Sequence, residues 1–224
     1  MWFPRTLNPL PSKFSCDQMR KFFIKVWKII KYRGGEMRRA IYIKKMRKNT
    51  ALLKEGKRTD FKRWEKSKEL LKDWDERTAI LSGLIEPGSK IIEFGAGNMM
   101  LKKMLPPNCT YTPSDIFVRS SDVLMCDLNE KISFDLHQFD TAVFSGVLEY
   151  VYNIEKVFEQ LAEDVENIVL SYTCADVSTA DRLNRGWLSD YTKSDLERIF
   201  EKFEYRVIDY KEWRKQSIYK LKKS

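Results

Sequence analysis

The sequence predicts an α/β fold: a mostly parallel sheet of seven strands with helices on both faces, ending in an antiparallel hairpin and preceded by a basic helical extension. Three observations predict it. From Lys90 onward, short apolar runs alternate with stretches of helical periodicity, the pattern of a parallel sheet joined by crossover helices. The last two runs, residues 205–210 and 217–221, have little between them, which suits a hairpin. Charge divides unevenly: residues 1–75 carry 22 Lys/Arg against 8 Asp/Glu, whereas residues 76–224 carry 19 against 24. A basic arm, residues 1–75, joined to a mildly acidic domain, residues 76–224, follows from that asymmetry.

Taken in order, residues 1–14 contain three prolines and predict irregular chain. Between Asp17 and Tyr32, Met19, Phe22, Phe23, Val26, Trp27 and Ile30 recur at helical spacing, with Lys21, Lys25, Lys28 and Lys31 opposite. Gly34-Gly35 is expected to end that helix. A second basic helix is expected over 36–53. A third, over 60–85, takes its apolar face from Trp64, Leu71, Trp74, Ile80, Leu81 and Leu84, before Pro87-Gly88 punctuates the chain. Strands are then expected over 90–94, 110–113, 123–126, 141–145 and 167–172. Helices are expected from Gly97 to Leu105, where Pro106-Pro107 stops the chain, over 154–163, and over 193–202 behind Thr192. The link from Asp115 to Val123 is too short for a helix and predicts a loop.

A chain of 224 residues holds one such domain with an extension. No run approaches the roughly 20 apolar residues of a membrane span, and the start lacks the basic-then-apolar order of a secretory signal. Cytoplasmic residence is the expectation. Cys16, Cys109, Cys126 and Cys174 lack CxxC spacing and read as reduced thiols. His137 is the only histidine, so a transition-metal site is not expected. Any histidine-based triad would have to use that one residue.

The chemistry concentrates after the first strand, in Ile91-Ile92-Glu93-Phe94-Gly95-Ala96-Gly97-Asn98. Glycines between a strand and a helix let the backbone approach a ligand closely, and a helix N-terminus offers free N–H groups. Asp115, about 20 residues on, is placed to accept hydrogen bonds from ribose hydroxyls. Asp127 ends the third strand, where it can receive an exocyclic adenine amine, with the Leu128 N–H beside a ring nitrogen. Singly, each acid reads equally as a solvated loop carboxylate or a helix cap. Together they sit at successive strand C-termini, the edge at which ligands bind in open α/β sheets.

Residues 76–224 resemble the class I methyltransferases that depend on S-adenosylmethionine (SAM) and have a Rossmann-like fold. The resemblance rests on Ile91–Asn98 as the glycine-rich first motif led by Glu93, on Asp115 and Asp127, and on the fourth-strand segment running from Phe139 to Val151. It implies SAM as cofactor, with Glu93, Gly95, Ala96, Gly97, Asp115, Asp127 and Leu128 around it and Ser145 and Gly146 near its methionine end. The usual third glycine is absent, since Asn98-Met99 follow Gly97. A dinucleotide pyrophosphate wants that glycine, which disfavours a nicotinamide-dependent dehydrogenase. Residues 95–127 and 186–191 are also similar to methyltransferases found with polysaccharide-assembly enzymes.

The resemblance places the acceptor side after the fifth strand. Aromatic and polar residues there suit a hydroxylated acceptor such as a saccharide or lipid-linked glycan: Tyr172, Trp187 and Tyr191 to bind it, Asp176 or Asp190 to receive a hydroxyl proton. Loop packing with a helix cap near Thr192 explains the same residues. His137, before the fourth strand, faces the edge away from the predicted cofactor.

The basic arm admits three readings. It packs on the domain as a lid or dimer element, it lies on an anionic membrane face through residues 17–32, or it binds nucleic acid. The functions in competition are accordingly O-methylation of a polar hydroxyl compound, methylation of RNA or DNA, and a non-catalytic binding module on the same fold.

Overall fold

The computed structural model describes residues 16–65 and 74–224. Residues 1–45 and 46–224 form two compact units. The expected irregular start and the middle of the expected 60–85 helix lie outside the described residues.

The 46–224 unit is built on a seven-stranded sheet. Its strands are β1 (Lys90–Phe94), β2 (Thr110–Asp115), β3 (Leu124–Met125), β4 (Thr141–Ser145), β5 (Asn167–Tyr172), β6 (Tyr205–Trp213) and β7 (Gln216–Lys223). The order is β3-β2-β1-β4-β5-β7-β6. The first five pair in parallel, and β7 runs antiparallel to both β5 and β6. The chain leaves β1 to one side for β2 and returns to its other side for β4, so the strand order reverses beside β1. That reversal opens a crevice at the C-terminal ends of β1 and β4.

Alternation along β1 sorts its side chains between two cores. Ile92 and Phe94 join Phe144, Phe158, Leu196 and Phe200 on the face covered by α4 (Ile154–Leu161) and α6 (Lys193–Lys202). The Phe94 and Phe144 rings stack at 5.0 Å between centroids. Ile91 joins Val143, Val169, Ile218 and Leu81 on the opposite face, where α3 (Asp75–Ser82) packs. Thr192 and Asp195 form a capping box at the start of α6, satisfying N–H groups that the first helical turn would otherwise leave open.

Two expectations need correction. Gly34-Gly35 does not end a helix: α1 runs unbroken from Cys16 to Glu55. Each glycine inside a helix costs about 1 kcal/mol relative to alanine, but the flanking helix formers carry the chain through. No helix opens after Gly97. Gly97 and Met99 both take positive φ, at 52° and 54°, which no right-handed helix contains, and only one 3-10 turn, Leu101–Lys103, precedes Pro106. Within the expected 60–85 helix, the described residues form α2 (Phe61–Glu65) and α3. The loop expected between Asp115 and Val123 is found, and a short α5 (Arg182–Arg185) that the sequence did not announce precedes Gly186.

No helix among the described residues is long and apolar enough to cross a membrane.

Candidate active site

A cavity of about 790 Å³ fills the crevice, within the range of roughly 300–1,000 Å³ usual for small-molecule sites. Glu93, Gly95, Ala96, Gly97, Asp115, Asp127, Leu128, Ser145 and Gly146 all line it. All nine residues marked by the sequence as cofactor-binding therefore meet at one place.

Local geometry explains how. Gly95 takes φ 69°, and a Cβ there would stand 2.7 Å from Val147 Cγ2, so only glycine lets the β1 turn pass beneath the β4 loop. The Gly97 N–H is not free for a ligand. It donates to Asp115 Oδ2 at 2.9 Å, tying the glycine loop to the end of β2. Asp115 Oδ1 accepts from the Phe117 N–H and from Arg119 Nη1, both at 3.1 Å. Three donors thus hold a carboxylate with about four lone-pair sites, and Asp115 keeps one direction for a further donor. Asp127 accepts from the Asn129 N–H at 3.0 Å.

Glu93 is buried and accepts from the Tyr111 hydroxyl. Burial pushes its pKa up to about 8, against the opposing help of Tyr111 and the Arg77 charge. Arg77, on α3, is buried beside it and holds Ser145: Nη2 donates to Ser145 O at 3.1 Å and Nε to Ser145 Oγ at 3.3 Å. Nη1 donates to Gln216 Oε1 at 3.2 Å. Burial lowers the Arg77 pKa, with Glu149 as the chief countering charge.

The remaining wall was not marked by the sequence. Trp64, Trp74, Asp75, Arg77 and Tyr150 line the cavity. The Trp64 ring meets Tyr150 edge-on at 4.7 Å and 89°, and the Arg63 guanidinium lies 5.3 Å from both ring centroids. Asn129 ties this wall together, donating to Thr59 Oγ1 at 2.9 Å and to Tyr150 O at 3.2 Å. The two tryptophans read in sequence as a core face because their spacing is helical, and nothing in one sequence says that this face meets a cavity. Arg77 left a weak signal, a lone cation in the helix before the glycine motif.

The expected acceptor residues stand elsewhere: Tyr172, Asp176, Trp187, Asp190 and Tyr191 do not line this cavity. Each is occupied structurally. Asp176 accepts from the Lys193 N–H at 3.1 Å at the start of α6. Asp190 pairs with Lys54 and, at 2.8 Å, with Arg182. The Tyr172 hydroxyl bonds Ser189 Oγ at 2.9 Å and accepts from the Tyr191 N–H at 3.1 Å. Trp187 is buried, with the Arg182 guanidinium 4.7 Å from its ring centroid. His137 is a surface residue, 80 % exposed and 3.1 Å from Asp135.

A mostly parallel α/β sheet with a cofactor-sized cavity at its strand-order reversal, framed by a glycine turn and carboxylates after successive strands, defines a nucleoside-cofactor enzyme of the Rossmann-like class. Comparison with known proteins gives the family: residues 63–210 match the methyltransferase domain family, and the chain belongs to it. A sequence search of curated proteins returned no match. Among solved structures, the chain is similar to a SAM-dependent methyltransferase from Aquifex aeolicus, at TM-score 0.50 and 15 % identity over 66 % of this chain and 88 % of that one. A Mesorhizobium loti SAM-dependent methyltransferase gives 0.51 and 12 % over 64 % and 96 %. The mitomycin 7-O-methyltransferase MmcR gives 0.51 and 13 % over 67 % and 54 %. At these identities the structural likeness is one of fold. The protein is a methyltransferase, and SAM is its cofactor.

Proposed function

We propose that this methyltransferase acts on a hydroxyl group of a saccharide or similar polar compound, bound between the cofactor and the wall formed by Trp64, Trp74 and Tyr150. The observation that carries this reading is Asp75. Four carboxylates line the cavity, and three are engaged: Glu93 by Tyr111, Asp115 by three donors, Asp127 by Asn129. The Asp75 carboxylate receives no hydrogen bond from any described residue, and it lines the cavity together with Trp74 and Arg77.

In this reading Asp115 accepts from the ribose hydroxyls, and Asp127 with the Leu128 N–H receives the adenine edge. The backbone of Gly95, Ala96, Gly97, Ser145 and Gly146 passes the methionine end, where Arg77 is placed to meet a carboxylate. The sulfonium makes the methyl group electrophilic when SAM is bound. The chain's task is then alignment and proton removal. SAM would supply the methyl group to the acceptor oxygen, and Asp75 would take the proton that the acceptor hydroxyl gives up. Burial raises the Tyr150 pKa. Its phenol therefore stays protonated and can donate to a second acceptor oxygen. Flat aromatic walls suit the apolar face of a sugar ring.

Methylation of RNA or DNA is the second reading, supported by the cations of the 1–75 arm. Radiolabelled methyl transfer separates the two. Label should pass to a hydroxylated glycan extract in a product stable to mild alkali. Transfer to RNA or DNA instead, with no label in glycan, would overturn the saccharide reading.

A further inference from the structure

Helix α1 changes character along its length. In the sequence of its first half, Met19, Phe22, Phe23, Val26, Trp27 and Ile30 recur at helical spacing, and Arg20, Lys21, Lys25, Lys28 and Lys31 fall at the complementary positions. Trp27 is exposed, with Lys31 Nζ 5.0 Å from its ring centroid. In the second half cations occur on every side: Arg38, Arg39, Lys44, Lys45, Arg47, Lys48 and Lys54 against the two acids Glu36 and Glu55. Trp27, Tyr32, Met37, Ile41 and Tyr42 are 62–67 % exposed.

Between the halves stand Gly34 and Gly35. Neither takes a positive φ, and a Cβ on either would meet no atom within 4 Å. Backbone conformation and packing therefore give no reason for glycine. What the pair does supply is the weakest point of the helix.

We propose that residues 16–33 are an in-plane anchor for an anionic lipid surface, and that Gly34-Gly35 lets this segment bend away from the rest of α1 as it lies down. Anionic headgroups attract the lysines, which lipid and nucleic-acid phosphates would do alike. The apolar residues separate them. Methionine, valine and isoleucine stack poorly on bases and gain nothing from phosphates, whereas aliphatic and aromatic side chains both enter the acyl boundary. The proposal is independent of which acceptor is methylated.

The test is co-sedimentation of the full-length protein with phosphatidylcholine vesicles, with and without an equal part of phosphatidylglycerol. Binding should need the anionic lipid and fall with salt. Reversing Lys25, Lys28 and Lys31 to Glu should weaken it about 100-fold or more, from the attraction each cation contributes near an anionic surface. Phe22→Ser with Trp27→Ser, charge unchanged, should weaken it about as strongly. Unaltered SAM affinity in every variant shows that the fold is kept. No sedimentation with anionic vesicles at low salt overturns the proposal. So does binding that needs the lysines but ignores the Phe22 and Trp27 changes, which would assign the surface to a polyanion. Gly34→Ala with Gly35→Ala should lower vesicle affinity, and equal or tighter binding overturns the bend.

Discussion

The Arg77 guanidinium lies against Gly146, whose φ of 65° and missing side chain leave room for it; a Cβ there would stand 2.5 Å from Arg77 Cζ. A helix that precedes the sheet in sequence thereby places a buried cation at the end of β4. Through Ser145 the same cation fixes the strand end that the family resemblance puts beside the methionine part of SAM.

Gly146→Ala should therefore damage both stability and cofactor binding. The left-handed conformation costs a non-glycine residue about 1–2 kcal/mol, and displacing a buried, hydrogen-bonded guanidinium adds to it. A lowered melting temperature and weaker SAM binding by calorimetry are expected together. Unchanged values for both would show that Arg77 moves aside freely.

Asp115→Asn should weaken SAM binding about tenfold or more. The substitution keeps the shape but removes the charge facing Arg119 and two N–H donors, and hydrogen bonds to charged groups are worth about 1.5–3 kcal/mol. Asp127→Asn removes a carboxylate with one protein donor, so its effect should appear in cofactor affinity with little loss of stability.

The pH dependence of stability should carry the mark of Glu93. Its folded pKa of about 8 lies above the unfolded value near 4.3. The native state therefore binds the extra proton between those values, and stability falls as pH rises through that window, levelling off above it. Glu93→Gln should flatten this slope in denaturant titrations at pH 5 to 8. A wild-type slope that persists in the variant would place its origin in other groups.

How legible the sequence was follows from what each feature depends on. Strands β1, β4 and β5 were read to the residue because a buried parallel strand needs a local apolar run, and Gly95, Asp115 and Asp127 because their spacing follows from strand length. The helix expected after Gly97 failed because left-handed conformations at Gly97 and Met99 are invisible in composition. The expected acceptor residues fall outside the cavity for a different reason. Trp187 and Tyr191 have the chemistry of sugar-binding residues, but so do Trp64, Trp74 and Tyr150, and only tertiary placement decides which set meets the cavity.

Those two aromatic sets lead to opposite mutational outcomes. Asp75→Asn should lower turnover about 100-fold or more, the usual contribution of a positioned base, while SAM affinity stays near wild type because Asp75 holds none of the cofactor loops. Asp190→Asn loosens the exposed pair to Lys54, a contact worth about 0–1 kcal/mol, and the partner of Arg182, so it should shift melting slightly and leave turnover almost intact. Asp176→Asn should do the same through the start of α6. The split between kcat and SAM affinity decides what the Asp75 loss means: a lost base lowers kcat and leaves SAM affinity unchanged. If turnover survives in Asp75→Asn and collapses in Asp190→Asn, the proton leaves through the β5 loops, and the acceptor lies on the side of the crevice that the sequence alone first suggested.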